Sequence, residues 1–172
     1  KVNYTALKDA VNSIGGISVT IDSDDPRGVY DPNFDWQCGH RCNMVKYPNG
    51  TVELDGDHAL ALARARDATG RGYGLDGGNF SREHYQQKIM LAIKDKASSA
   101  GTLANPLAVT NLVSSFGDNI MTNFDTSEIK TLVTLAGAIS KDSIRSLSLV
   151  EEGDQMFTTS MYSGQSIVRP VA

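Results

Sequence analysis

Four arginines lie close together near the middle of the sequence. Arg64, Arg66, Arg71 and Arg82 occupy a glycine-rich stretch and its two flanks. The whole chain carries 16 Lys plus Arg against 20 Asp plus Glu, so this local excess of cations is not a property of the entire surface. Guanidinium groups match phosphate oxygens with paired hydrogen bonds. The sequence therefore predicts a local anion site that suits phosphate or pyrophosphate better than a carboxylate.

Two of these arginines are separated by a single residue. On a regular helix Arg64 and Arg66 would point to nearly opposite sides, whereas in an extended or irregular segment they converge. The glycines that follow predict that the helix carrying Arg64 ends near Arg66. Arg82 then falls in the first turn of the next predicted helix, where free N–H groups favour an anion, and Gln86 lies one turn later on the same face. The candidate site consists of Arg64, Arg66, Arg82 and Gln86.

The same arginines could instead be paired on a solvated surface. A salt-bridge cluster would use the nearby carboxylates, which are those of Asp55, Asp57, Asp67 and Asp76. From the residues alone this alternative stays open beside the anion site.

Other catalytic motifs are weak in this sequence. Gly72, Gly74 and Gly77 have the letter spacing of a dinucleotide fingerprint, but they follow a predicted helix where that motif requires a strand. The chain has no Ser-His-Asp spacing of a known hydrolase class and no HExxH motif. His84, close to Arg82, is expected to be a surface residue because a helix turns it to another side.

Cys38 and Cys42 are the only cysteines. They can form a small disulfide, remain free thiols, or bind a metal together with His40. The disulfide is the favoured alternative, and it implies an oxidising, extracytoplasmic compartment.

Helical and extended patterns alternate along the chain. The long segment at 23–51, which follows the predicted strand at 17–21, is rich in Asp, Pro, Asn and Gly. This composition and length predict a functional or cross-linked loop. Asn79 or Ser81 is expected to cap the helix after the glycines. Interleaved helices and strands favour α/β layers over a helical bundle. Helices are predicted to begin near Tyr4, Asp55, Asn79, Pro106 and Asp125, and strands to cover 17–21, 144–149 and 167–168.

Length and charge limit the classes of protein. The 172 residues suit one domain, and the net charge of −4 argues against a nucleic-acid-binding surface. No stretch has the pattern of a signal peptide or a membrane span. The chain has no initiating Met and starts almost at once with a helix, so we expect a single domain over residues 1–172 that lacks N-terminal sequence.

Three blocks of sequence together resemble a known family. They are LKDAVNSIGGISV at 7–19, LDGDHALALARAR at 54–66 and GGNFSREHYQQK at 77–88. In order and spacing they are similar to the C-terminal two-thirds of the LytR-CpsA-Psr domain, found in bacterial cell-envelope glycopolymer ligases.

The resemblance implies both a fold and an activity. The fold would be an α/β/α layered sandwich that holds a polyprenyl-pyrophosphate-linked glycopolymer, such as teichoic acid or capsule. The enzyme would transfer this phospho-glycopolymer to peptidoglycan or another wall acceptor, with Mg²⁺ on the diphosphate. By the match of motifs, Arg64, Arg66, Arg82 and Gln86 would be the site residues. The family's magnesium ligands and its membrane anchor would lie upstream of Lys1, on a protein at the extracytoplasmic face.

Two positions depart from the family pattern. Asn79 stands where the family usually has Asp, and Tyr85 stands where many members have a further Arg. Asp76 is the nearest carboxylate that could substitute. These departures keep open an alternative, a non-catalytic module that binds polyprenyl phosphate or wall polymer. The family is also often labelled a transcriptional regulator or attenuator, but the sequence has no helix-turn-helix signature and predicts no nucleic-acid partner.

Overall fold

The computed structural model describes residues 4–39, 41–67, 70–99 and 157–170, together with the single residues 111, 114, 128, 131, 135, 139 and 143. The chain divides into two compact units, 1–141 and 142–172, which are described separately. The helices predicted from Pro106 and Asp125 and the strand predicted at 144–149 fall largely outside the described residues. A single domain over the whole chain therefore stays a prediction.

The first unit starts with a helix and a strand joined by two glycines. Helix α1, Tyr4–Ser13, is closed by N–H bonds from Gly15 to the Asn12 carbonyl and from Gly16 to the Val11 carbonyl. Both glycines have positive φ, 77° and 88°, the conformation that ends helices and that glycine adopts without strain. Strand β1, Ile17–Ile21, follows with strictly alternating buried and exposed residues. The sequence prediction for this segment is confirmed.

The long loop contains more structure than its composition predicts. It holds two short paired strands, β2 at Val29–Tyr30 and β3 at Lys46–Tyr47. Between them lie two 3-10 turns, Pro32–Phe34 and Trp36–Cys38. Strand β4, Gly50–Leu54, then pairs antiparallel with β1.

Two further helices pack on this pair of strands. Asp55 caps helix α2, Gly56–Arg64, by accepting a hydrogen bond from the His58 N–H. Any side chain on Gly56 would overlap the backbone of Lys8, so glycine permits the close approach of α1 and α2. Helix α3 spans Asn79–Ala97. The largest fully buried apolar side chains are Val11, Ile17, Val19, Ile21, Val29, Val45, Leu62, Leu75 and Ile89.

The start of α3 differs from the sequence prediction. Gly78, with φ 57°, occupies the cap position, and no side chain caps the helix there. Asn79 and Ser81 already lie inside the first turn, so the predicted cap at either residue is wrong. A glycine at the cap allows a backbone angle that neither residue adopts easily. Along α3 the buried face consists of Tyr85, Ile89 and Ile93, which have helical spacing.

The glycine-rich segment before α3 is tied to the long loop. Tyr30 and Tyr73 exchange two backbone hydrogen bonds of 2.9 and 3.1 Å. The Arg27 guanidinium lies 4.1 Å from the centre of the Tyr73 ring and forms an ion pair with Asp25. A side chain on Gly72 would overlap the Tyr30 carbonyl, so glycine is required for this contact. The segment is thus held in one place despite its glycines.

The second unit is described as a hairpin. Strand β5, Phe157–Tyr162, pairs antiparallel with strand β6, Gln165–Pro170, through a turn at Ser163 and Gly164. Both turn residues have positive φ, as a two-residue hairpin turn requires. The predicted strand at 167–168 is therefore part of a longer strand, and its partner β5 is absent from the sequence prediction. Within the ranges that the structure describes, no helix has the length and apolar character needed to cross a membrane.

Candidate anion-binding site

The end of α2 places two arginines on one side of the chain. Arg64 is the last residue of α2, and Ala65 has extended angles of φ −63° and ψ 138°. Because side chains two residues apart share a side in an extended segment, Arg64 and Arg66 point into the same space. This is the local irregularity that the sequence pattern required for the two arginines to converge.

Both arginines line a single cleft of about 680 Å³. Its volume lies within the usual range for small-ligand pockets. Its wall comes from two sources, α2 with the residues that follow it and the long loop at 23–51. The lining residues are Asp31, Asn33, Phe34, Trp36, Cys38, Cys42, Met44, Asp57, Leu60, Ala61, Arg64 and Arg66.

Aromatic rings surround one of the two guanidinium groups. The Arg64 guanidinium carbon lies 4.8 Å from the centre of the Tyr4 ring and 5.7 Å from that of Phe34. Such cation–π contacts orient the guanidinium without using its N–H donors. Arg64 therefore keeps its hydrogen-bonding capacity for a ligand.

The described residues do not form the cluster of arginine–carboxylate salt bridges that the sequence left open as an alternative. None of Arg64, Arg66, Arg71 and Arg82 forms an ion pair with a carboxylate in those parts of the chain. Three of the four expected partners bind other groups. Asp57 pairs with Lys8 at 2.5 Å, Asp55 binds His58, and Asp67 accepts hydrogen bonds from the backbone N–H groups of Arg71 and Gly72.

A buried carboxylate that sequence reasoning missed positions Arg66. Asp31 is 1% exposed, and its Oδ2 accepts hydrogen bonds from the N–H groups of Arg66 and Asp67, both at 3.0 Å. Its Oδ1 accepts two more from Asn33, one from the backbone N–H at 3.0 Å and one from the amide at 2.6 Å. Four donors occupy both oxygens, so Asp31 is a positioning residue rather than a free base.

Gln86 connects α3 to the end of α2. Its amide Nε2 donates a 2.8 Å hydrogen bond to the Ala63 carbonyl, one residue before Arg64. The last carbonyls of a helix have no partner within the helix, and this bond satisfies one of them. Gln86 thus adjoins the two arginines through the backbone of α2.

The remaining candidates lie outside the lining of the cleft. Arg82 sits in the first turn of α3, where its N–H binds the Gly78 carbonyl at 3.2 Å. Asp76 and Asn79 are exposed around the start of α3. The structure therefore brings Arg64 and Arg66 together, with Gln86 next to them, and places Arg82, Asp76 and Asn79 beyond the cleft wall.

Tyr85 and His84 have structural roles. Tyr85 is 3% exposed, and burial raises the pKa of its hydroxyl to about 12. A buried aromatic ring at this position packs the core instead of facing a ligand. His84 is exposed, as expected, with Nε2 3.2 Å from an Asp22 carboxylate oxygen.

The cysteines fix the loop that forms the rest of the cleft. Cys38 and Cys42 form a disulfide, which is the first of the three alternatives that the sequence allowed. In the same loop, the fully buried Asp35 accepts a 2.9 Å hydrogen bond from the Met44 N–H. Trp36 stands next to this anchor and is 68% exposed.

The described residues contain no group of three protein ligands that fits a magnesium ion. Mg²⁺ prefers a set of oxygen ligands, usually with carboxylates. The one grouping of potential ligands within the described ranges is Asp35 with Cys38 and Cys42, and both sulfurs are used in the disulfide. Asp31 has both oxygens filled by N–H donors.

Curated relatives are wall-polymer transferases by name. The chain is 28% identical over 148 residues to the polyisoprenyl-teichoic acid–peptidoglycan teichoic acid transferase TagV of Bacillus subtilis, covering 86% of this chain and 34% of that protein. It is 24% identical over 156 residues to the TagU transferase of Enterococcus faecalis, covering 88% of this chain and 44% of that protein. The chain thus spans less than half the length of these relatives.

Solved structures give the fold. The B. subtilis TagV crystal structure matches 99% of this chain and 56% of its own with a TM-score of 0.62 at 21% identity. TagT bound to LIIa-WTA matches 96% of this chain and 51% of its own with a TM-score of 0.63 at 24% identity. These likenesses show the α/β fold of that domain type. The sequence model of the LytR_cpsA_psr family matches residues 1–168, and the chain belongs to this family.

Proposed function

We propose that this chain forms part of an extracytoplasmic transferase that moves a polyprenyl-pyrophosphate-linked glycopolymer onto peptidoglycan or another wall acceptor. The observation that carries the proposal is the pair Arg64 and Arg66, which line one cleft with no carboxylate partner in the described residues. The names of the relatives, which are teichoic acid transferases acting on peptidoglycan, support the class of substrate.

The chemistry would be a phosphoryl transfer. A hydroxyl of the acceptor attacks the phosphorus that carries the glycan, and a new O–P bond forms. The bond from that phosphorus to the bridging oxygen breaks, and polyprenyl phosphate leaves with the electron pair while the hydroxyl proton passes to a base. Two guanidinium groups at the diphosphate would stabilise the charge that develops on the departing phosphate.

The proposed transferase works outside the cytoplasm, and the family resemblance adds a magnesium ion. The disulfide between Cys38 and Cys42 supports an oxidising compartment outside the cytoplasm. Attachment to the membrane through an upstream segment stays a prediction. The family resemblance implies a magnesium ion, whose ligands would come from outside the described residues.

A transfer assay tests the proposal. In the full-length protein, Arg64→Ala and Arg66→Ala are each expected to lower the transfer of labelled glycopolymer to peptidoglycan by about 100-fold, because each removes charge stabilisation at the reacting phosphates. Arg71→Ala is the matched control, since Arg71 is exposed in the same segment but outside the cleft lining. Transfer at the wild-type rate by both cleft variants would reject the proposal.

A second function is favoured by one observation. Asp31 has both oxygens occupied, Asp57 is paired with Lys8, and Asp76 and Asn79 lie outside the cleft lining. A cleft whose described lining has no unengaged carboxylate suits a module that binds the lipid diphosphate without turning it over. Tight binding of the diphosphate with no transfer, in the presence of acceptor and magnesium, would favour this function.

A further inference from the structure

The cleft has an exposed aromatic residue that the proposed transfer does not use. Trp36 is the only tryptophan of the chain, and it is 68% exposed while lining the same cleft as Arg64 and Arg66. Tryptophan is among the residue types enriched at the energetic centres of binding sites.

The turn that carries Trp36 is fastened on both sides. Before it, Asp35 is fully buried and its Oδ1 binds the Met44 N–H at 2.9 Å. After it, Cys38 donates its N–H to the Asp35 carbonyl at 3.2 Å and is bonded to Cys42. The backbone of Trp36 is therefore fixed before any ligand arrives. A pre-organised residue costs less entropy on binding than a mobile one.

The lining of the cleft that Trp36 shares is mixed rather than apolar. Phe34 and Met44 contribute apolar surface. The Asn33 amide, which also donates to Asp31, and the Asp57 carboxylate, which is paired with Lys8, add polar groups. A polyprenyl chain lying here would strip water from these polar groups and from both arginines without replacing their hydrogen bonds, which is unfavourable. A sugar ring matches the mixture, because its C–H face stacks on an aromatic ring and its hydroxyls bind amide and carboxylate groups.

The segment that carries Phe34 and Trp36 also lies beside the Arg64 guanidinium. The Phe34 ring is 5.7 Å from the Arg64 guanidinium carbon, and Trp36 follows two residues later. A group attached to a phosphate on Arg64 would therefore lie in the same cleft as Trp36. In a glycopolymer diphosphate that group is the first sugar.

We infer that Trp36 is a specificity-determining platform on which the sugar joined to the pyrophosphate stacks. The inference rests on the proposed function of the Arg64 and Arg66 cleft. It assigns the disulfide loop a role in choosing glycosylated over bare lipid diphosphates.

Two probes separate the sugar from the diphosphate, namely farnesyl diphosphate and farnesyl-diphospho-N-acetylglucosamine. Trp36→Ala is expected to weaken binding of the glycosylated probe roughly tenfold while changing that of farnesyl diphosphate less than about twofold. Trp36→Phe, which keeps a ring, should fall between Trp36→Ala and wild type. Met90→Ala, at an exposed apolar residue of α3, is the matched control and should match wild type.

Fluorescence gives a second readout, since Trp36 is the only tryptophan of the chain. Its emission should shift on addition of the glycosylated probe and much less with farnesyl diphosphate. Equal losses for both probes in Trp36→Ala, or no loss for either, would overturn the inference. If wild type binds farnesyl diphosphate and the sugar adds no affinity, the platform fails while the proposed function stands. If wild type binds neither probe, both fail.

Discussion

The Arg66 N–H group donates a 3.0 Å hydrogen bond to the buried carboxylate of Asp31. Through this bond the long loop and the segment after α2 are joined at the cleft. Asp31 also binds Asn33, so one side chain fixes the start of the loop that carries Phe34 and the backbone that carries Arg66. The orientation of the Arg66 guanidinium thus depends on a residue that need not touch the ligand.

Replacing Asp31 should therefore lower the stability of the fold and also disturb the position of Arg66. Asp31→Asn replaces one of two acceptor oxygens by an NH2 group, which then faces one of the two pairs of N–H donors, and we expect a loss of about 3 kcal/mol in the free energy of unfolding. Denaturant unfolding measures this loss, and titration with farnesyl diphosphate should show weaker binding. Asp24→Asn, at an exposed residue of the same loop, is the control for loss of one charge. Wild-type stability and binding in Asp31→Asn would contradict a positioning role.

Introducing a charge at Gln86 should destabilise the fold more than shortening its side chain. Gln86→Ala removes the hydrogen bond to the Ala63 carbonyl, and we expect the free energy of unfolding to fall by about 1 kcal/mol. Gln86→Glu should be worse at neutral pH, because an ionised carboxylate cannot donate to that carbonyl and repels it. Thermal unfolding of the two variants ranks them. If Gln86→Glu were as stable as wild type, the Ala63 bond would not be important in solution.

The disulfide should contribute measurable stability. Closing the small loop between Cys38 and Cys42 is expected to stabilise the fold by roughly 2 kcal/mol, mainly by restricting the unfolded chain. Urea unfolding should therefore shift to lower concentration when a reductant is added. A Cys38→Ser, Cys42→Ser double variant should resemble the reduced wild type and ignore the reductant. A reductant effect of equal size in the double variant would show that the disulfide is not the cause.

Asp25 should titrate far below an ordinary aspartate. Hydrogen bonds from the Arg27 side chain and backbone lower the pKa of Asp25 to about 2. Because the folded pKa is depressed, the stability from this pair is fully present above the ordinary pKa of 3.8 and is lost as the pH falls toward 2. Carboxyl NMR titration should give a midpoint near the lower value in wild type. In Arg27→Ala the midpoint should rise toward the ordinary value, and an unchanged midpoint would contradict the assigned cause.

Local patterns predict the elements that depend on nearby residues. The alternation at 17–21 predicts β1, and Asp55 predicts the start of α2. The glycines after Arg66 predict a helix end near that residue, and α2 ends two residues earlier, at Arg64. In each case the determining interactions lie within a few residues, where spacing and side-chain type carry the information. The convergence of Arg64 and Arg66 follows from the same local break at Ala65.

Long-range contacts could not be predicted in this way. Asp31 precedes a proline and binds Asn33, which is a recognisable turn pattern. Nothing local indicates that its second oxygen reaches Arg66, 35 residues later. The burial of Tyr85 and the exposure of Trp36 likewise depend on which surfaces meet in three dimensions. The family resemblance supplies the candidate residues of the site, but not the loop that lines it.

Titration with farnesyl diphosphate tests the central claim most directly, that Arg64 and Arg66 bind the pyrophosphate. Calorimetry on wild type, Arg64→Ala, Arg66→Ala and the Arg71→Ala control should show affinity lowered by about 10- to 100-fold in the two cleft variants, since a hydrogen bond to a charged group contributes roughly 1.5–3 kcal/mol. Arg71→Ala should bind as wild type does. Unchanged affinity in both cleft variants, or an equal loss in the control, would contradict the assignment of this cleft.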